Sequence, residues 1–165
     1  MKRKLKQPTT YEEQISLLFA HNCANTNLSE YAKRNQENVK KIVQDICNGK
    51  IAELLVHRYL VEKGKACTPP DFVIYPAHAK SFDADLVCDG INIHVKSCIP
   101  SDKWGNSWCF QPNDSLVKSP DTNDWLALVV LGADPYFRLV SAKGVKYGVP
   151  RKRGLNKAVI YEDNL

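Results

Sequence analysis

At 165 residues the chain is long enough for one domain with a buried core. Its 44% hydrophobic and 25% charged residues exclude a disordered or low-complexity chain. No apolar run approaches the roughly 18 residues of a membrane-crossing helix, and the basic start Met1-Lys-Arg-Lys-Leu-Lys6 lacks the apolar stretch of a secretory signal, so a cytoplasmic protein with no membrane partner is expected. A formal charge of +5 is too small to imply a nucleic-acid partner by itself, but its distribution is uneven. Lys2, Arg3, Lys4 and Lys6 cluster at the start, and Lys143, Lys146, Arg151, Lys152, Arg153 and Lys157 near the end. Such clusters suit phosphate contacts, which give sequence-independent affinity through counterion release.

In chain order, Thr10 is expected to cap a helix from about Tyr11 to Ala20, burying Ile15, Leu18 and Phe19. A polar stretch from His21 to Ser29 follows. Asn38 to about Lys63 reads as one long helix, with Asn48-Gly49 as a candidate break and Gly64 as its stop; Ile42, Ile46, Leu54, Val56, Leu60 and Val61 supply apolar positions. Thr68-Pro-Pro-Asp71 is a turn signal, and Phe72 to Tyr75 reads as a short strand. Asp83 to Cys88, Asp89-Gly90 and Ile91 to Ser97 form a β-hairpin, because Asp-Gly favours the positive φ angles of a two-residue turn. Strands are expected at Trp108–Gln111, at Trp125–Leu131 (apolar throughout, hence buried on both faces) and at Tyr136–Val140, before a basic tail. Helices followed by strands predict an α/β or α+β fold with a central mixed sheet flanked by helices. One domain over 1–165 is expected, its core at about 38–140. The six cysteines contain no CxxC pair and are expected as reduced thiols, with no ligand spacing for zinc at Cys98 and Cys109.

The hairpin carries the chemistry. Side chains alternate along a strand, so Asp83, Asp85 and Val87 share one face, as do His94 and Lys96 on the partner, while apolar residues take the other. Charges on a half-buried face are costly without compensation, and a divalent metal supplies it. Mg²⁺ prefers oxygen ligands and keeps several waters, which makes Asp85 the main candidate ligand, the Val95 carbonyl a second, and Asp83 an assisting one. Glu53, from the long helix, adds a carboxylate, with an exposed ion pair to Lys50 or Arg58 as its alternative. Lys96 can position the attacking water and offset charge on a phosphate.

This arrangement resembles the PD-(D/E)xK nuclease superfamily, which includes restriction endonucleases, some homing endonucleases and junction resolvases. The residues concerned are Gly49-Lys-Ile-Ala-Glu53, Asp83-Ala-Asp85 and His94-Val-Lys96-Ser97, and the resemblance covers roughly residues 45 to 112. It implies a restriction endonuclease-like core with an acidic residue on the helix before the sheet, an aspartate opening a hairpin strand, and an acidic-x-Lys triplet on the next strand. Here His94 replaces the triplet's acid. His94 either ligates a metal, in which case Mn²⁺ is favoured over Mg²⁺, or shuttles a proton, or hydrogen-bonds a site carboxylate. Pro70-Asp71 matches the literal "PD" but reads as turn chemistry. Gln111 lies where many members carry a polar residue facing the site; Trp104, Asn106, Ser107 and Trp108 form a polar, aromatic loop; His21, His57 and His78 show no ligand spacing.

The resemblance implies a metal-dependent endonuclease of double-stranded DNA, of restriction or homing type, with Asp85 and Glu53 on the metal, Lys96 on the water and His94 adjusting the site. A small chain with one site needs a second copy to cut both strands, so a homodimer or higher symmetric oligomer is expected. The alternatives are a nuclease-like DNA-binding or assembly subunit without activity, a structure-specific junction resolvase, and an RNA-directed nuclease.

Overall fold

Both long helices start where a short polar side chain takes up free backbone N–H groups. The computed structural model describes residues 1–33, 36–76 and 84–165. Helix α1 (Thr10–Thr26) begins behind Thr9, not Thr10: the Thr9 hydroxyl accepts the Glu12 N–H while the Glu12 carboxylate accepts the Thr9 N–H, a reciprocal capping box. It runs through Thr26 rather than ending at Ala20, and α2 (Leu28–Ala32) follows, so most of the expected polar stretch is helical. Helix α3 (Val39–Glu62) starts behind Asn38, whose side chain accepts the Lys41 N–H. It passes Asn48-Gly49 unbroken and stops at Gly64, which takes φ +75°.

α1 packs on α3 through a face other than the expected one. Ser16, Ala20 and Ala24 are fully buried there, while Leu18 is 64% exposed. Small residues let the two backbones approach closely, which pushes the larger side chains to the rim. The buried Glu12 also pairs with Arg58 at 2.7 Å, whose other guanidinium nitrogen donates to the Lys6 and Gln7 carbonyls. One ion pair thus fastens the N-terminal segment to both helices.

The strands form two sheets. β1 (Arg3–Lys4), β2 (Leu86–Cys88), β3 (Ile91–Cys98), β5 (Asp124–Val130) and β6 (Tyr136–Ser141) make a five-stranded mixed sheet in the order β1-β6-β5-β3-β2, with β3–β5 as its parallel pair. β4 (Ser107–Phe110) and β7 (Ala158–Tyr161) pair antiparallel as a second sheet. The fold is α+β. Asp89 (φ +50°) and Gly90 (φ +79°) make the expected hairpin turn. β5 is buried on both faces, as its apolar run predicts: Ala127 and Val129 face the α3 side with Leu55, Val56, Ile93 and Val95, and Leu126, Leu128 and Val130 face the other with Trp108, Phe110, Leu116 and Ile160.

Four expectations are corrected. The second face of the central sheet is covered by β4 and β7 with the short α4 (Ser115–Lys118), so helices flank the sheet mainly on one side. The supposed tail contains β7, whose Ala-Val-Ile-Tyr is apolar enough to be pulled into that layer. Phe72–Tyr75 is not a strand, because the Asp71 carboxylate takes the Val73 N–H and the Tyr75 hydroxyl and bends the chain locally. Cys67 and Cys88 are disulfide-bonded. The Thr68 N–H donates to the Val87 carbonyl and the Asp89 N–H to the Ala66 carbonyl, so the segment after α3 runs antiparallel to the end of β2 and brings the two Cα atoms to 4.1 Å. Cys23, Cys47, Cys98 and Cys109 are free thiols, as expected. Among the described residues no helix is long and apolar enough to cross a membrane.

At the α1–α3 contact the Ser16 hydroxyl is buried with no hydrogen-bond partner among the described residues. Leaving such a group unpaired costs about 1–3 kcal/mol, so Ser16→Ala should stabilise the fold by about 1 kcal/mol in urea unfolding. A loss of stability of that size would show that the hydroxyl is satisfied in solution.

Candidate active site

The hairpin pairs Leu86 with Ile93, Val87 with Asn92 and Cys88 with Ile91. β2 is the outermost strand and begins at Leu86, while β3 continues to Cys98 against β5. Past Ile93, then, β3 has no strand on its outer side among the described residues. A continued antiparallel ladder would bond the Val95 N–H to a backbone carbonyl. Instead the Asp85 side chain accepts it through Oδ2 at 2.7 Å. This bond pins Asp85 at the mouth of the hairpin, and the Val95 carbonyl, on the same strand edge as its N–H, points to the same mouth.

Glu53 approaches from α3, on the face of Ile93 and Val95. Its side chain is 13% exposed and its Oε2 accepts from Lys50 Nζ at 2.6 Å. The pair is not an exposed one: Lys50 is 8% exposed, and Arg58 is engaged with Glu12. Lys50 also donates to the Asp71 carbonyl at 2.7 Å, and its ammonium lies 4.7 Å from the Phe19 ring centre and 5.2 Å from that of Phe72. Burial, and then the charge of Asp85, push the Glu53 carboxyl up to about 7, against the pull of Lys50. Among the described residues, nothing donates to the second oxygen of either carboxylate.

The remaining candidates lie elsewhere. β3 pairs His94 with Leu126 and Lys96 with Leu128, which puts both on the β4–β7 side of the sheet, opposite α3. His94 Nε2 lies 3.4 Å from Asp124 Oδ1. Burial opposes ionisation of Asp124, but hydrogen bonds from the Asp121 backbone, Asn92 and His94 hold its carboxyl below the usual range. Lys96 Nζ sits 5.4 Å over the Phe110 ring. Gln111 is exposed past the end of β4, and its carbonyl accepts the Asp114 N–H in the turn into α4. The structure therefore brings Glu53, Asp85 and Val95 together with Lys50 and Asp71, and sets His94, Lys96 and Gln111 on the other layer. Asp83 and His78 lie outside the described residues. Trp108 is core, donating from Nε1 to the Val129 carbonyl.

The basic clusters divide. Arg151 stacks 4.1 Å over Tyr161 and pairs with Asp163; Lys2 pairs with Glu162 and Lys6 with Glu62. These side chains are engaged in pairs on the surface of the fold. Lys143, Lys146, Lys152 and Arg153 are exposed.

From sequence, Lys50 is expected only as an exposed ion-pair partner of Glu53. Its spacing to Glu53, three residues along a helix, marks a pair on one face, but nothing in the sequence marks the pair as buried. Among the described residues no group of three or more His, Cys, Asp or Glu side chains is placed to hold a metal ion. Against known proteins, the chain matches no family model, no curated protein and no solved structure.

The Glu53 shift fixes the sign of a pH effect. The folded state holds the proton more tightly than the unfolded one, so the metal-free fold loses stability as pH rises from about 4.5 to about 7. A shift of this size is worth on the order of 3 kcal/mol. In chelator, the stability of the parent relative to Glu53→Gln should fall by roughly that amount between pH 4.5 and 7.5, read from urea unfolding; a difference flat in pH would refute the perturbation.

Proposed function

We propose that this protein is a metal-dependent DNA endonuclease whose site is the mouth of the β2–β3 hairpin. The observation that carries the reading is the convergence of Glu53 from α3 and Asp85 from the hairpin, close enough for the charge of one to raise the other's pKa, next to the edge carbonyl of Val95. Two part-buried carboxylates sharing a site favour a cation, and each keeps one oxygen free of protein donors among the described residues. All three donors are hard oxygens, and Mg²⁺ binds through one or two carboxylates while keeping its waters, so the donor set fits Mg²⁺ or Mn²⁺. Bound there, the ion supplies Lewis-acid stabilisation of the phosphate's developing charge.

The chain's own residues do the rest. Asp85, fixed by the Val95 N–H, and Glu53, fixed by Lys50, present oxygens in set directions. The order of elements, an acidic helix and then a hairpin with an aspartate at its mouth and a lysine on the second strand, is that of the PD-(D/E)xK nucleases it resembles, and supports a restriction endonuclease-like core. The mouth lies at a strand edge, and β3 carries Lys96 next to it on the other face of the sheet. Lys96 serves the phosphate from the β4–β7 side, and the exposed Lys143, Lys146, Lys152 and Arg153 supply backbone contacts to duplex DNA. Cutting both strands calls for a symmetric dimer.

One observation favours a second reading, an inactive DNA-binding subunit. His94, in the slot of the expected acid, is turned to Asp124 and away from the carboxylates. Plasmid nicking separates the two. With Mg²⁺ or Mn²⁺ the parent should nick supercoiled DNA, and Asp85→Asn and Lys96→Ala should each slow it at least about 100-fold. No nicking in either metal, or equal nicking by parent and Asp85→Asn, supports the binding subunit.

A further inference from the structure

We infer that Lys50 is a positioning residue of the carboxylate site: it locks Glu53 by one oxygen so that the other is presented to a divalent cation. The inference rests on the metal-dependent reading above and adds a residue which the resemblance does not assign.

The geometry is specific. Lysine is rarely buried unless paired, yet the Lys50 side chain is 9% exposed. Its ammonium gives one hydrogen bond to Glu53 Oε2 at 2.6 Å and one to the Asp71 carbonyl at 2.7 Å, and its remaining side faces the rings of Phe19 and Phe72, which stand edge to face 5.5 Å apart. These partners come from α3, from the segment after Pro70 and from α1, so the ammonium is held from three directions. A glutamate on a helix has three side-chain torsions, and holding Oε2 narrows the positions open to Oε1. Residues that orient metal ligands in this way typically change metal affinity 10- to 100-fold when removed.

A purely structural role makes a different prediction. Removing one partner of a buried ion pair leaves the other charge uncompensated and is strongly destabilising, so a purely structural role shows in unfolding and leaves the Mn²⁺ affinity of the folded variant unchanged. Lys50→Met keeps the volume and removes the lock. Binding of Mn²⁺ to the full-length, chelator-stripped protein, followed by the loss of the free-ion electron paramagnetic resonance signal, reads the difference without reference to activity. Lys50→Met should weaken Mn²⁺ binding at least about tenfold, and Glu53→Gln should weaken it as much or more. If Lys50→Met does not fold, Phe72→Leu, which opens one wall of the cage and keeps both charges, is read in the same way and should weaken binding about threefold or more. Parent-like Mn²⁺ affinity in the folded Lys50 variant, with loss in Glu53→Gln, overturns the positioning role and leaves the metal site standing. Absence of Mn²⁺ binding by the parent overturns the metal-dependent reading and the inference with it.

Discussion

The Lys50 ammonium is the charge around which one side of the molecule is arranged. Removing it from water is costly unless every direction is answered: a carboxylate on α3, a carbonyl at Asp71, and two ring faces from α1 and the segment after Pro70. Each partner is thereby committed. Phe19 must lean inward from α1, the chain after Pro70 must pass close enough to donate a carbonyl, and Glu53 must lie in the interior, where it meets the charge of Asp85. The small residues of the α1–α3 contact serve the same arrangement, since a bulkier seam would lift Phe19 off the ammonium.

The hairpin adds a constraint of another kind. Neighbouring side chains on a strand cannot share a face, so Val95 and Lys96 belong to different layers, and β5 beside them is apolar on both sides. The layers meet at the strand edge, outside the span of β2, where a side chain takes the Val95 N–H. Asp85 uses that opening. A carboxylate tied to a backbone N–H is held in the plane of the sheet, which lets it sense a glutamate on one side while lysine and histidine stand on the other.

What was legible in the sequence is what depends on local geometry. Asp89-Gly90 declared its turn because both residues tolerate positive φ, α3 declared its ends through Asn38 and Gly64, and the run to Leu131 declared a strand buried on both faces. The candidate site was legible as residue types, in Glu53 and Asp85, but not as a constellation. Lys50 neighbours Glu53 by helix spacing alone, but which side of the sheet α3 covers decides whether Lys96 joins them, and no spacing along the chain encodes that. The buried face of α1 was misread because size was taken as the sign of burial, when closeness of two helices selects Ser16, Ala20 and Ala24. β7 was hidden by the basic residues around it, and the pairing of Cys67 with Cys88 depends on a two-bond register between distant segments.

That pairing has a topological consequence. Residues 67 to 88 form a closed covalent ring, and both Asp71 and Asp85 are carried on it. A protease that cuts a peptide bond inside the ring opens it without releasing a fragment, so the two pieces travel as one molecule until a thiol reagent parts them. The ring keeps the hairpin mouth attached to the end of α3 even when the backbone between them is severed.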